Sequence, residues 1–124
     1  MAAVRHVLVV EDEPEIRKLI RKYLEKLGFS VREAGTGKAA LVLLEEMDPI
    51  LVCMDLGLPE ASGREIYEHM RRTERLKKVP VLIITASSMP ADRAWAESAG
   101  AYLLKPIRWV NFAATVRSLV TVPL

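Results

Sequence analysis

The strongest constraint on the fold is a regular alternation between short apolar runs and longer segments with helical periodicity. The apolar runs predict strands at residues 6–10, 50–54, 79–84 and 102–104, and residues 30–34 are predicted as a short second strand. The periodicity predicts helices at residues 14–27, 37–47 and 90–99, a helix capped by Ser62 that ends near residue 72, and a last helix at residues 108–120. Continuous apolar strands are typical of parallel sheets buried on both faces. The sequence therefore predicts an α/β fold, a parallel sheet with helices on both faces.

Length and composition indicate one domain, covering residues 1–124. The net charge of the 124-residue chain is +2, which is too small to indicate a nucleic-acid or membrane-surface partner. A single cysteine, Cys53, excludes an intramolecular disulfide, and no apolar run approaches the ~20 residues of a membrane span. We therefore expect a soluble, cytoplasmic domain in which Cys53 is a small buried apolar residue.

Polar side chains follow four of the predicted strands, at the sheet edge where function resides in α/β folds. Glu11 and Asp12 follow the first strand, Asp55 the third, Thr85 ends the fourth, and Lys105 follows the fifth. Carboxylates that meet at one edge repel each other, and a hard divalent cation such as Mg²⁺ relieves that repulsion. A nearby ammonium and hydroxyl suit a phosphoryl group. An aspartate beside Mg²⁺ can then act as a nucleophile that forms an aspartyl phosphate.

The order of these motifs resembles the receiver domain of two-component response regulators, the CheY-like family. The motifs are Glu11-Asp12, Asp-Leu-Gly-Leu-Pro at residues 55–59 with Gly63, Thr85-Ala86 and Lys105-Pro106, and the resemblance spans essentially the whole chain. It implies a flavodoxin-like (βα)5 fold whose parallel five-stranded sheet has the order 2-1-3-4-5. It also implies a phosphorylation-controlled switch rather than an enzyme with a separate substrate.

The resemblance also implies a role for each acidic residue at the strand ends. Asp55 would accept a phosphoryl group from a phosphohistidine. Glu11, Asp12 and Asp55 would hold Mg²⁺, for which Mn²⁺ could substitute, and the backbone carbonyl of Gly57 would be a further ligand. The donor of the phosphoryl group would be a sensor histidine kinase or a histidine phosphotransfer protein.

Further implied roles concern the switch that follows phosphorylation. Thr85 would donate to a phosphoryl oxygen, Lys105 would pair with the phosphate, and a cis bond before Pro106 would orient the lysine. Tyr102 stands at the position of the family's rotating aromatic switch residue. The face formed by the fourth helix, the fifth strand and the fifth helix would contact an output protein of unknown identity or a second copy of the chain.

The sequence departs from the family pattern in two places. The family commonly has two more residues between the end of the fourth helix and the switch aromatic, whereas here Gly100 and Ala101 lead directly to Tyr102. We therefore expect an altered end or angle of the fourth helix. The first acidic residue is Glu11, where aspartate is frequent, and its longer side chain can still reach a metal ion. Trp109, at the start of the fifth helix, is predicted to be partly exposed.

Other functions fit the sequence less well than this resemblance does. The segment Gly35-Thr36-Gly37-Lys38 fails the P-loop pattern and follows a complete β-α unit, so it predicts a turn rather than a nucleotide site. Phosphatases of the haloacid-dehalogenase type also use an aspartyl nucleophile, but they have a general acid two residues after it, where Gly57 stands in this sequence. A pseudo-receiver that binds partners without taking phosphate is the remaining alternative.

Overall fold

The structure is a computed structural model that describes residues 5–123, and in it five strands alternate with five helices. The strands are β1 (His6–Val10), β2 (Ser30–Ala34), β3 (Leu51–Met54), β4 (Val81–Thr85) and β5 (Ala101–Leu104). The helices are α1 (Pro14–Lys26), α2 (Gly37–Glu46), α3 (Gly63–Arg72), α4 (Pro90–Ala99) and α5 (Trp109–Leu119). The strands form one parallel sheet in the order β2-β1-β3-β4-β5, which confirms the predicted fold class and strand order.

Hydrophobic layers cover both faces of this sheet. Alternate residues of β1 divide between the two layers, with Leu8 and Val10 in one and Val7 and Val9 in the other. Helices α2, α3 and α4 complete the first layer, and α1 and α5 complete the second. The central strands β1, β3 and β4 therefore bury side chains on both faces, which explains why their sequences are almost entirely apolar.

The strand register brings the carboxyl ends of the central strands to one edge. Val10 lies opposite Met54, and the Asp55 amide donates to the Val10 carbonyl at 3.1 Å. At the other side of β4, the Lys105 amide donates to the Thr85 carbonyl at 2.8 Å. The residues that follow these strands are consequently neighbours in space although they are distant in sequence.

Helix α3 begins directly beside the end of β3. Ser62 caps it as predicted, because the side chain accepts a hydrogen bond from the Glu65 amide at 3.2 Å. The next residue, Gly63, donates its amide to the Leu56 carbonyl at 3.1 Å. A Cβ at Gly63 would lie 2.4 Å from the Asp55 carbonyl oxygen, so only glycine permits this close approach.

The predicted boundaries are wrong by one or two residues at several elements. Strand β4 starts at Val81, because the amide of Val79 donates to the Leu76 carbonyl in a turn. A single residue, Gly100, joins α4 to β5, which begins at Ala101 rather than at Tyr102. A Cβ on Gly100 would lie 2.3 Å from the Val81 carbonyl oxygen, so the short connection depends on a close approach to β4.

Across residues 5–123, no helix combines the length and the apolar character that crossing a membrane requires.

Candidate functional site

Three carboxylates meet at the carboxyl edge of the sheet. Ligand oxygens of Glu11, Asp12 and Asp55 all lie within 4.8 Å of one another. Glu11 is only 2% exposed, Asp12 is exposed at the rim, and Asp55 lies between these extremes. The structure thus brings together the three acidic residues that the sequence analysis predicted as metal ligands.

Lys105 lies between two of these carboxylates. Its Nζ is 2.5 Å from Glu11 Oε1 and 2.9 Å from Asp55 Oδ2, and Glu13 Oε1 is further away at 3.8 Å. The lysine side chain is 9% exposed. The peptide bond between Lys105 and Pro106 is cis, as the resemblance implied. The predicted lysine is therefore in direct contact with the predicted acceptor.

Burial and ion pairing act in opposite directions on this cluster. Burial raises the pKa of Glu11, and the hydrogen bond with Lys105 offsets only part of that rise. For Lys105, burial alone would lower the pKa, but hydrogen bonds to Glu11 and Asp55 outweigh it and leave the pKa raised. One ammonium among three carboxylates leaves an excess of negative charge, which a divalent cation would balance.

Backbone amides hold the Asp55 side chain in place. Oδ1 accepts from the Leu56 amide at 2.6 Å and more weakly from the Gly57 amide at 3.4 Å. Oδ2 accepts from Lys105. Because both oxygens have donors, the carboxylate is oriented before any ligand arrives.

A concave site of about 440 Å³ opens above Asp55. Asp55, Gly57, Thr85 and Lys105 line it, so four predicted site residues share one cavity. The carboxylate oxygens of Glu11, Asp12 and Asp55 at this edge are ligands of the kind that a hard divalent cation prefers. Further lining residues that the sequence analysis did not single out are Arg64, Ser87 and Asp92.

These additional residues form one network across two helices and a loop. Arg64 Nη2 donates to Asp92 Oδ1 at 2.6 Å, and Ser87 Oγ donates to Asp92 Oδ2 at 2.6 Å. Their position in the sequence could have identified Arg64 and Asp92, because both lie in the first turn of a helix that begins near the carboxyl edge of the sheet.

Thr85 and Tyr102 are linked through the same loop. Thr85 is 3% exposed, and its Oγ1 accepts from the Ser87 amide at 3.3 Å. The Tyr102 hydroxyl donates to the Ser87 carbonyl at 3.1 Å. Tyr102 is partly buried against the core and does not line the cavity, so its contact with the site runs through Ser87.

Two residues outside the cavity also correspond to sequence expectations. Cys53 is 1% exposed, and burial raises the pKa of its thiol to about 12. Trp109 is partly buried, as predicted, because its ring stacks on Tyr23 at a centroid distance of 4.1 Å. Neither residue contributes to the acidic cluster.

Comparisons with known proteins match this architecture. A family model for the response regulator receiver domain matches residues 7–117. The polar-differentiation response regulator DivK of Brucella ovis is 35% identical over 116 residues, which cover 92% of this chain and 94% of DivK. DivK of Brucella anthropi is 34% identical over the same shares of each chain.

Solved structures show the same fold. The chemotaxis response regulator CheY4 of Vibrio cholerae has a TM-score of 0.85 at 24% identity, covering 95% of this chain and all of CheY4. A receiver domain of a sensor histidine kinase from Pseudomonas aeruginosa, solved with a magnesium ion coordinated in its active site cleft, has a TM-score of 0.83 at 28% identity. That match covers 94% of this chain and 98% of the other. Because the family model spans most of the chain and DivK matches it along nearly its whole length, this protein belongs to the response regulator receiver domain family, the CheY-like signalling switches of two-component systems.

Proposed function

We propose that this domain is a phosphoryl-accepting switch of a two-component phosphorelay and that Asp55 is the acceptor. The contact of Asp55 with Lys105, inside a cluster of three carboxylates, supports the proposal. An oriented nucleophile, a cation and a metal-ligating set at one edge are the elements that phosphoryl transfer needs. The acidic pocket typical of receiver domains binds Mg²⁺, which agrees with the donor set found here.

The proposed reaction is a displacement at phosphorus. An Asp55 carboxylate oxygen attacks the phosphorus of a phosphohistidine, the P–N bond breaks, and the imidazole nitrogen keeps the electron pair and takes up a proton. Mg²⁺ held by Glu11, Asp12, Asp55 and the Gly57 carbonyl would offset charge on the phosphoryl oxygens. Lys105, whose Nζ lies 2.9 Å from Asp55 Oδ2, would neutralise part of the same charge, and the Thr85 hydroxyl is available as a donor.

The switch follows from the contacts of Thr85. When its hydroxyl turns toward a phosphoryl oxygen, the contact with the Ser87 amide changes, and Ser87 also accepts from Tyr102. Phosphorylation then biases the face of α4, β5 and α5, provided that the phosphoryl group binds the two states differently. Leu104 and Val110 are exposed on this face, at 45% and 83%, and suit an output partner or a homodimer.

A separate apolar groove supports an interaction with the phosphoryl donor. Ile16, Leu19, Ile107 and Trp109 line a space of about 230 Å³ beside Lys105 and Pro106. A helix of a sensor histidine kinase or a phosphotransfer protein that packed here would lie beside Lys105, which contacts Asp55. We therefore assign the donor to the side of α1 and the output partner to the side of α4.

The decisive experiment measures intact mass after incubation with acetyl phosphate and Mg²⁺. We expect one phosphoryl adduct on the wild type, no adduct on Asp55→Asn, and a normal adduct on the control Asp48→Asn. Asp48 is an exposed carboxylate that pairs with Arg75, away from the cavity. An adduct on Asp55→Asn at the wild-type rate would refute the assignment. No adduct on the wild type would favour the pseudo-receiver alternative.

A further inference from the structure

A second cation, Arg64, lines the cavity that contains Asp55. The start of α3 explains its position, because Gly63 lies against the Asp55 carbonyl and Arg64 is the next residue. Unlike Lys105, Arg64 does not pair with the acidic cluster. Its partner is Asp92 in the first turn of α4. The cavity therefore contains an arginine whose charge is balanced by an aspartate of another helix.

The Arg64–Asp92 pair connects the cavity to the element expected to move. Asp92 also accepts from Ser87, and Ser87 contacts both Thr85 and Tyr102. The hydrogen bond from Ser87, aided by the Arg64 guanidinium, lowers the pKa of Asp92 despite the opposing effect of burial. Asp92 is thus a carboxylate that two donors hold in its ionised form.

A phosphoryl group on Asp55 would be a stronger partner for Arg64 than Asp92 is. It brings up to two negative charges and three acceptor oxygens into the same cavity. A guanidinium binds phosphate in a bidentate fashion, with geometry that lysine cannot reproduce. The side chains of Arg64 and Asp92 are 43% and 27% exposed, so the present pair is partly hydrated and weak enough to exchange.

We propose that Arg64 exchanges partners, from Asp92 in the unphosphorylated domain to the phosphoryl group once it is on Asp55, and that this exchange releases the start of α4. This inference rests on the proposed function, since it requires phosphorylation of Asp55. It adds a positioning residue that acts on the phosphoryl group and, through Asp92 and Ser87, on the loop between β4 and α4. The state of the site and the position of α4 are then coupled by one side chain.

The test uses beryllofluoride with Mg²⁺, because this anion adds to aspartyl carboxylates as a tetrahedral analogue of a phosphoryl group and its binding is measured at equilibrium. A partly exposed ion pair corresponds to a change of up to about five-fold in affinity. We expect Arg64→Gln to weaken beryllofluoride binding by about that factor, and Asp92→Asn to strengthen it by a similar one. Arg64→Lys should retain part of the wild-type affinity, because lysine keeps the positive charge but lacks the two parallel N–H donors of the guanidinium.

The double variant Arg64→Gln/Asp92→Asn distinguishes exchange from simple charge repulsion. If Asp92 competes for Arg64, its replacement has no effect once Arg64 is absent, and the double variant binds like Arg64→Gln alone. If Asp92 only repels the anion, its replacement strengthens binding in both backgrounds, which would overturn the inference. Arg93→Gln and Glu97→Gln are charge-matched controls, because these residues form an exposed pair on α4 outside the cavity lining.

Trp95 offers a spectroscopic test of the same exchange. The Arg64 guanidinium lies 5.1 Å from the centre of the Trp95 ring. In a Trp109→Phe background, which leaves Trp95 as the remaining tryptophan, beryllofluoride should change the fluorescence, and Arg64→Gln should abolish most of that change. If the wild type binds beryllofluoride normally and the Arg64 and Asp92 variants bind it with unchanged affinity, the exchange is refuted and the proposed function is not. No adduct on the wild type with acetyl phosphate or beryllofluoride would refute the proposed function and the exchange with it.

Discussion

Replacing Asp55 with asparagine is expected to leave the stability of the metal-free domain almost unchanged while removing most of the stabilisation that Mg²⁺ provides. The substitution keeps the size and shape of the side chain and removes one charge. Two opposing consequences follow from the contacts of Asp55. The attraction to Lys105 is lost, and the repulsion from the carboxylates of Glu11 and Asp12 is relieved.

The distances show why these consequences nearly cancel. At 2.9 Å from Lys105 Nζ, the attraction lost is roughly 6 kcal/mol for an effective dielectric constant near 20. Two carboxylates with oxygens within 4.8 Å of Asp55 each contribute a repulsion of at least about 3.5 kcal/mol on the same scale. Water screens part of the repulsion from Asp12, because that residue is exposed. We therefore expect a net change of about 1 kcal/mol or less, which is small beside either contribution.

Urea unfolding in EDTA and in Mg²⁺ measures both parts of this prediction. At a Mg²⁺ concentration ten times its dissociation constant, the free energy of unfolding of the wild type should rise by about 1.4 kcal/mol. Asp55→Asn should gain less than half of that at the same concentration, and Asp48→Asn should gain all of it. An equal Mg²⁺ increment in Asp55→Asn and the wild type would refute the metal site. A metal-free loss of several kcal/mol in Asp55→Asn would refute the balance of charges.

Three further predictions concern the site and the core beneath it. Lys105→Met should lower the free energy of unfolding of the metal-free domain by about 3 kcal/mol, because it leaves the buried Glu11 carboxylate without an opposite charge. A loss within the error of urea unfolding would contradict this. Gly63→Ala and Gly100→Ala should each lower the free energy of unfolding by about 2 kcal/mol, because each added Cβ meets a backbone carbonyl. Only Gly63→Ala should also slow phosphorylation by acetyl phosphate, and equal rates in both variants would count against the role of Gly63. Burial raises the pKa of Cys53 to about 12 from its ordinary value of 9.0, so the folded state keeps the thiol proton that the unfolded chain loses. This contribution to stability is complete below pH 9 and declines as the pH rises. Between pH 8 and 10, the free energy of unfolding measured in urea should therefore fall by about 1.4 kcal/mol more in the wild type than in Cys53→Ala. Equal decreases in the two proteins would contradict this prediction.

Local sequence was sufficient to predict the parallel architecture and the content of the site. Continuous apolar runs require burial on both faces, and helical segments between them require parallel strands. The residues that follow those runs must then lie at one edge, and the strand order implied by the family resemblance is what made Asp55 and Lys105 predicted neighbours across 50 positions. The strand order was implied by the family resemblance rather than by periodicity, since several orders satisfy the same burial pattern.

Tertiary structure alone decided which side chains pair with each other. Nothing in the local pattern indicated that Arg64 would meet Asp92 rather than the acidic cluster, because that contact depends on where α3 and α4 begin relative to the sheet. The same holds for the stacking of Tyr23 on Trp109, which joins α1 to α5. The sequence by itself determined the secondary structure and the chemistry of the strand ends, because these depend on burial and on local hydrogen bonding. The pairing of charges and rings depends on distances between elements far apart in the chain, and only the folded arrangement sets those distances.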